Sequence, residues 1–78
     1  MNQEKRIVKT LGRRVRKYRL QLGWSQMFLA AESGLDKSYI GSIERAEVNP
    51  SIKKIANIAD ALGVHVADLL DDRRQSKN

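Results

Sequence analysis

The sequence predicts a compact all-α domain built from five short helices, a fold class that follows from three observations. Apolar residues recur three and four positions apart along most of the chain, and no stretch of strict alternation indicates a strand. Glycines and an Asn49-Pro50-Ser51 turn divide these stretches into helix-length segments with short connections. The 78 residues suffice for one small domain. We place it at residues 6–72, between flexible ends at 1–5 and 73–78.

The first helix is predicted from Arg6 to Leu22 and ends at Gly23, a residue type common at helix C-termini. One apolar stripe runs along it, formed by Val8, Leu11, Val15, Tyr18 and Leu22. The basic residues that we expect to point away from this stripe are Arg13, Arg14, Arg16 and Lys17. Arg19 instead lies on the flank of the stripe, where it needs a partner because an unpaired buried guanidinium is costly.

Two short helices follow, joined by one tight turn. The second begins after Ser25, a good N-cap, and ends at Gly34. The third is predicted over Lys37–Arg45, with Asp36 as its N-cap. Residues 25–44 therefore have the form of a helix-turn-helix, a unit that places its second helix in the major groove of DNA.

The third helix has two different predicted faces. Ile40 and Ile43 face the core. The residues left facing outward or sideways are Ser38, Tyr39, Gly41 and Ser42, so the outer face consists mostly of small side chains.

The last two helices complete the predicted fold. The fourth begins after Ser51, ends at Gly63 and carries an apolar stripe of Ile52, Ile55, Ile58, Ala59 and Leu62. The fifth is short, from about Val66 to Leu70 or Asp72.

The charge of the chain is concentrated at its N-terminal end. Residues 1–24 hold eight basic residues against the single acidic Glu4, a net of +7, whereas residues 25–78 hold seven basic and eight acidic residues, a net of −1. A cationic segment of this kind attracts nucleic acid or anionic lipid, or it is a solvated face that aids solubility. The apolar runs are too short for a transmembrane helix, and no secretory signal is visible.

Several classes of chemistry are not expected. The chain has no cysteine and one histidine, His65, so we expect neither a metal site nor a histidine-based catalytic site. No phosphate loop or nucleophile–base pair has a familiar spacing. We therefore expect a protein that is not an enzyme, needs no cofactor and binds no evident small molecule. The lack of cysteine fits a reducing cytoplasm.

Residues 11–70, about three quarters of the chain, resemble the helix-turn-helix family of Cro and C1 repressors, also called the xenobiotic-response-element type. The residues that carry the resemblance are Leu11-Gly12, Val15-Arg16, Arg19, Gly23-Trp24-Ser25-Gln26, Leu29-Ala30, Ser33-Gly34-Leu35, Ser38-Tyr39-Ile40, Ile43-Glu44-Arg45, Asn49-Pro50-Ser51, Ala61-Leu62-Gly63-Val64 and Asp68-Leu69-Leu70. The resemblance implies a five-helix lambda-repressor-like fold and a regulator of transcription that binds double-stranded DNA. The small size and basic first helix also resemble restriction–modification controller proteins.

The family resemblance assigns roles to individual residues. It implies base contacts from Lys37, Ser38 and Ser42, whose side chains can donate to base edges. It implies phosphate contacts, which position the protein without reading sequence, from Ser25, Gln26, Tyr39, Arg45, Asn49 and Lys53. For Tyr39, partial packing in the core is the alternative. The resemblance further implies a structural ion pair between Arg19 and Glu44.

Three residues depart from the family pattern. Phe28 stands where the family often has Glu or Gln, so it either contacts a partner or folds back onto the body of the domain. Gly41 interrupts the third helix, which costs roughly 1 kcal/mol relative to alanine. It either permits close approach to DNA or is tolerated drift. Ala46 replaces a frequent glycine, so the shape of the following turn is left open.

The leading hypothesis from sequence is a homodimeric regulator on a palindromic operator, since a monomer covers only one half-site. We place its dimer interface at the C-terminal apolar residues Val64, Val66, Leu69 and Leu70. The alternative is an antitoxin or other protein-interaction module that binds its partner through an apolar patch including Phe28. Binding to a membrane surface by the first helix ranks third, because its apolar stripe is needed for the core.

Overall fold

The computed structural model describes residues 2–73, and it confirms the predicted all-α class and helix order. The five helices are α1 (Gln3–Gln21), α2 (Gln26–Ser33), α3 (Lys37–Glu44), α4 (Ile52–Leu62) and α5 (Val66–Leu70). No strand occurs between residues 2 and 73. None of the helices in this described range is long and apolar enough to cross a membrane.

Local hydrogen bonds explain where most helices begin. The side chains of Asn2, Ser25 and Ser51 each accept a hydrogen bond from the backbone N–H three residues later, at 3.2, 3.0 and 3.2 Å. The first of these caps starts α1 at Gln3, so residues 3–5, which we placed in the N-terminal end, are helical. The predicted C-terminal end at 73–78 lies outside the described residues except for Arg73. Asp36 is the N-cap of α3 by position, but its carboxylate makes no capping hydrogen bond.

One hydrophobic core lies among all five helices. Its members share the inward faces of the helices and are Leu11, Val15, Tyr18, Leu29, Ala30, Ile40, Ile43, Ile55, Ile58, Ala59, Leu62 and Leu69. Three residues of the predicted stripes lie outside it: Val8 is half-buried, Leu22 is 47% exposed and Ile52 is 68% exposed. Leu22 directly follows α1 and Ile52 begins α4, so at these two positions the stripe extends past the elements that cover it.

Arg14 corrects the sequence prediction for α1, because it is buried where we expected it to point into solvent. Its Nε donates to the carbonyl oxygen of Asp68 at 2.8 Å, and its Nη2 donates to the hydroxyl of Tyr18 at 2.8 Å. The Asp68 carboxylate is buried as well and accepts from the backbone N–H of His65 at 2.9 Å. The short α5 therefore packs on a flank of α1 that would face water in an isolated helix.

Gly12 allows the closest approach between two helices. A Cβ at this position would lie 2.5 Å from the carbonyl oxygen of Ile43 and 2.9 Å from that of Glu44. Both neighbours are backbone atoms, so a side chain could be accommodated only if α1 and α3 moved apart. The C-terminal end of α3 is thus placed directly on α1.

Candidate nucleic-acid interface

The turn between α2 and α3 is set by Gly34, which adopts the left-handed conformation with φ 72°. The backbone N–H of Leu35 donates to the carbonyl oxygen of Ala30 at 2.9 Å, which closes the turn. Ser33 is buried, and its hydroxyl donates to the carbonyl oxygen of Leu29 at 2.7 Å. These local bonds give α3 a defined orientation relative to α2.

A buried ion pair joins α3 to α1. Arg19 Nε lies 2.7 Å from Glu44 Oε2, and Arg19 Nη2 donates to Oε1 at 3.0 Å, so the contact is bidentate. Arg19 Nη1 donates to the carbonyl oxygen of Trp24 at 2.7 Å, and Gln26 Nε2 donates to Glu44 Oε1 at 3.2 Å. The Arg19 and Glu44 side chains are only 9% and 4% exposed. We call this cluster of Arg19, Trp24, Gln26 and Glu44 the inner junction.

The electrostatics of the inner junction favour a permanently charged arginine. The hydrogen bond to Glu44 raises the pKa of Arg19 above its ordinary value, and this outweighs the opposing effect of burial. Among the described residues, no buried side-chain nitrogen or oxygen lacks a hydrogen-bond partner. The inner junction is therefore a satisfied charge cluster that fixes the end of α3 and the start of α2 on α1.

The predicted base-contacting residues lie together on the opposite side of α3, which we call the outer face. At about 100° per residue, the side of α3 away from Ile40 and Ile43 is defined by Ser38, Ser42 and Arg45, with Lys37 at its edge. Lys37 and Ser38 are exposed and Ser42 is half-buried. No hydrogen bond or ion pair joins their side chains to any other group within residues 2–73. The outer face is thus open to a partner.

The predicted phosphate contacts around α2 already have protein partners. The hydroxyl of Ser25 accepts from the N–H of Phe28, and the amide of Gln26 belongs to the inner junction. Gln26 is the first residue of α2, so its backbone N–H has no acceptor within the helix. Free N–H groups at a helix N-terminus favour an anion. The side chains of Ser25 and Gln26 are therefore already bonded within the protein, and the group left to contact a phosphate is the backbone at the start of α2.

Tyr39 and Lys54 make a contact that the sequence analysis missed. Tyr39 is half-buried against the core, as the packing alternative expected, and Lys54 Nζ lies 4.5 Å from the centre of its ring. Lys53, a predicted phosphate contact, is exposed at the start of α4. The sequence signal that could have indicated Lys54 is its position directly after Lys53, close to the N-cap Ser51. Two adjacent lysines at the start of a helix add positive charge beside the predicted interface.

Two other predicted phosphate contacts are held by glutamates that we did not foresee. Arg45 Nε donates to Glu47 Oε2 at 3.1 Å, and the amide of Asn49 donates to Glu4 Oε2 at 2.7 Å. The hydrogen bond to Glu47 raises the pKa of Arg45 above its ordinary value. A phosphate approaching either donor would compete with a carboxylate, so the acidic residues moderate the positive charge of this surface.

The three departures from the family pattern have definite structural outcomes. Phe28 folds back, with its ring edge-on against Trp24 at a centroid distance of 4.8 Å, although 46% of the residue remains exposed. Ala46 has φ 60°, so it keeps the left-handed turn usual for glycine, at a cost of roughly 1–2 kcal/mol. Gly41 lies on the same side of α3 as Arg45, and it is buried because the Arg45 side chain covers it.

The predicted dimer interface requires one correction. Leu69 is 0% exposed and fills the core of the protomer, so it offers no surface to a second copy. Val64, Val66 and Leu70 are half-buried and pack against the same core. The prominent apolar surface nearby is instead an open groove of about 720 Å³ that includes Ile7, Ile52 and Leu70. Ile52 is its most exposed large apolar residue.

The chain is similar in sequence to known helix-turn-helix proteins. The model of the helix-turn-helix family HTH_3 matches residues 15–69, within the segment that resembles the Cro and C1 type. The HTH-type transcriptional regulator SinR of Bacillus subtilis (strain 168) is 38% identical over 68 residues, which make up 86% of this chain and 61% of SinR. The chain therefore spans about three fifths of the length of that relative.

Two solved structures share both fold and sequence with the chain. The restriction-modification controller protein C.AhdI from Aeromonas hydrophila is 40% identical with a TM-score of 0.77, over 80% of this chain and 94% of that chain. The master regulator for biofilm formation SinR, in complex with DNA, is 42% identical with a TM-score of 0.74, over 78% of this chain and 98% of that chain.

Proposed function

Because the chain belongs to the helix-turn-helix family HTH_3, we propose that it is a sequence-specific regulator of transcription that binds double-stranded DNA. It acts in the cytoplasm as a homodimer on a palindromic operator, with α3 in the major groove. The family comprises regulators and not enzymes, and the SinR structure in complex with DNA supports a nucleic-acid partner. The 40% identity to C.AhdI supports a role as a restriction–modification controller.

The outer face of α3 is the observation that carries the proposal. Lys37, Ser38 and Ser42 lie on this face without protein partners among the described residues, on a helix whose other side is fixed by the inner junction. A lysine can donate to guanine O6 or N7, and a serine hydroxyl can serve several bases. A rigid helix with a small, polar, unpartnered face fits the major groove, which is wide enough for one helix.

Phosphate contacts position this helix without adding sequence information. The N-terminal N–H groups of α2 and the exposed Lys53 and Lys54 provide further donors, and Lys54 lies against Tyr39 of α3. The six exposed basic residues of α1 add to the positive field that draws DNA toward the protein. Two of the eight basic residues before Trp24, Arg14 and Arg19, are buried and serve the fold.

Dimerisation allows the protein to contact both half-sites of an operator. Two recognition helices related by a two-fold axis contact successive major grooves about 34 Å apart. The groove that includes Ile7, Ile52 and Leu70 offers apolar area for such contact and takes the place of Leu69 in the predicted interface. Burial of Ile52 in the dimer would remove the most exposed large apolar side chain of the described residues.

Selection of bound DNA from a random pool, followed by footprinting of the selected sequence, tests the proposal. We expect a palindromic site protected over two half-sites, with affinity that falls steeply between about 50 and 200 mM salt because phosphate neutralisation releases counterions. A pool that shows no enrichment would exclude sequence-specific binding. A stable complex with another protein, combined with no protected DNA, would favour the interaction-module alternative.

A further inference from the structure

Gly41 lies in the middle of α3 and is buried by the Arg45 side chain. A Cβ built on Gly41 would lie 3.0 Å from Arg45 Nη1 and 3.7 Å from both Cζ and Nη2. The whole guanidinium is therefore close to the helix backbone at the glycine. Arg45 folds back by one turn toward the N-terminal part of α3, as long side chains on helices tend to do.

This fold-back places the guanidinium among the predicted base-contacting residues. At about 100° per residue, Arg45 lies within roughly 20° of Ser38 and roughly 60° of Ser42 around the helix axis. The Arg45 residue itself follows the last turn of α3, but its charged group lies one turn earlier, over Gly41. The guanidinium is consequently part of the outer face, although the Arg45 backbone lies at the end of the helix.

The guanidinium is held in place and keeps its donors available. Nε donates to Glu47 Oε2 at 3.1 Å, and no group in residues 2–73 accepts a hydrogen bond from Nη1 or Nη2. The Arg45 side chain is 59% exposed, so its outward side is accessible. A planar pair of N–H donors, with Nε bonded to Glu47, matches the O6 and N7 acceptors of guanine.

We propose that Gly41 is a specificity-determining residue. Its lack of a side chain leaves space for the Arg45 guanidinium on the outer face of α3, which presents that group to a guanine in the major groove. The inference rests on the proposed function, and it changes the role of Arg45 from a phosphate contact to a base contact.

The test measures binding to the operator obtained by selection and to operators with each base pair replaced in turn. Arg45→Ala should lose roughly 5- to 100-fold discrimination at one G·C pair per half-site. Arg45→Lys should lose most of the same discrimination, because a lysine cannot form the bidentate contact while it keeps the charge. Gly41→Ala should lose roughly 2- to 10-fold at that same pair, because the new methyl group displaces the guanidinium.

Thermal melting separates this effect from misfolding. Gly41 has an ordinary helical backbone, and a methyl group added there would meet only the end of the flexible Arg45 side chain. Gly41→Ala should therefore melt at or above the wild-type temperature. Lower discrimination in a variant of undiminished stability would support the proposal. A variant that kept full discrimination at every base pair would overturn it.

A double-mutant cycle assigns the effect to the arginine. Gly41→Ala should cause no further loss when Arg45 is already alanine. An equal loss of discrimination with and without Arg45 would mean that Gly41 contacts DNA directly, which contradicts the inference. A uniform loss of affinity for all operators in Arg45→Ala would mean that Arg45 contacts a phosphate, which also contradicts it. If the wild-type protein selects no DNA, the proposed function and this inference both fail. If it selects an operator that both variants read normally, only this inference fails.

Discussion

Arg19 and Arg45 each pair with a glutamate of the α3 region, yet their surroundings are opposite. The Arg19–Glu44 contact is bidentate, with both side chains less than a tenth exposed, and it lies under α3. The Arg45–Glu47 contact is a single hydrogen bond, and both side chains are more than half exposed on the other side of the helix. The same chemistry therefore serves structure in the inner junction, whereas on the outer face it holds an exposed arginine for which we propose a role in recognition.

Burial explains this division. Loss of one member of a buried pair leaves an unpaired charge in a region that water cannot reach, so the folded state is destabilised. Loss of one member of an exposed pair leaves a charge that water solvates, so the fold changes little. A substitution on the outer face should consequently leave the fold nearly unchanged, whereas a substitution in the inner junction should destabilise it.

The largest expected effect is at the inner junction. Glu44→Ala should lower the free energy of unfolding by about 3–5 kcal/mol, because it leaves Arg19 buried without its carboxylate. Urea denaturation monitored by helical circular dichroism measures this change. Glu47→Ala is the matched control and should stay within about 0.5 kcal/mol of the wild type. Equal effects in the two variants would contradict the contrast between the two pairs.

The next largest expected effect is the destabilisation caused by a side chain at Gly12. Gly12→Ala should destabilise the fold by about 1–3 kcal/mol, because its Cβ meets backbone oxygens of α3 that cannot move independently. Gly41→Ala is the control within another helix and should be neutral or stabilising by up to about 1 kcal/mol, as alanine favours helix more than glycine. Melting curves of both variants decide the matter. A stable Gly12→Ala variant would show that α1 and α3 are not held together closely.

Lys37 tests the outer face by itself. Lys37→Ala should reduce discrimination at one base position per half-site by about 1–3 kcal/mol, while stability changes by less than about 0.5 kcal/mol. Competition binding with substituted operators measures the discrimination. If specificity stays at the wild-type level and only overall affinity falls, Lys37 is a phosphate contact.

The smallest expected effect comes from Asp72, which lies 2.6 Å from Arg13 on the surface between α1 and the end of α5. The hydrogen bond from Arg13 lowers the pKa of Asp72 below its ordinary value. Because the folded state has the lower pKa, the pair stabilises the fold above about pH 4, and this contribution is lost as the pH falls through the lowered pKa.

Melting temperatures between neutral and acid pH measure the Asp72 contribution. Asp72→Asn should lower the melting temperature slightly at neutral pH, with the difference from wild type vanishing in acid. Asp60→Asn is the control, since that exposed side chain has no ion pair within the described residues. A difference that persists unchanged at low pH would mean that Asp72 acts by packing and not through its charge.

Much of the fold could be predicted from sequence because its signals are local. The N-caps Ser25 and Ser51 and the left-handed glycines at positions 34 and 63 act within a few residues of themselves. The apolar stripes predicted the inward faces of the helices, except at Val8, Leu22 and Ile52, which lie outside the core. The residues of the outer face could be chosen for the same reason, since one helix determines which side chains share a side.

The remaining errors concern contacts between elements. Arg14 has the same position on its helix whether or not α5 packs against it, so the sequence of α1 could not predict its burial. Leu69 is apolar in either role, and only the packed structure places it in the core and not at a dimer surface. The glutamates at positions 4 and 47 reach their partners through loop geometry that no periodicity describes.

The sequence by itself determined the class, the order of the helices and the helix-turn-helix, because capping, glycine conformation and hydrophobic periodicity depend on neighbouring residues. Tertiary structure alone decided that Arg14 is buried and which glycines lie against another group. Gly12 meets the backbone of α3, whereas Gly41 is covered by the side chain of Arg45, the residue that follows α3. Such differences arise from the distance between packed groups, which the spacing of residues along a chain does not specify.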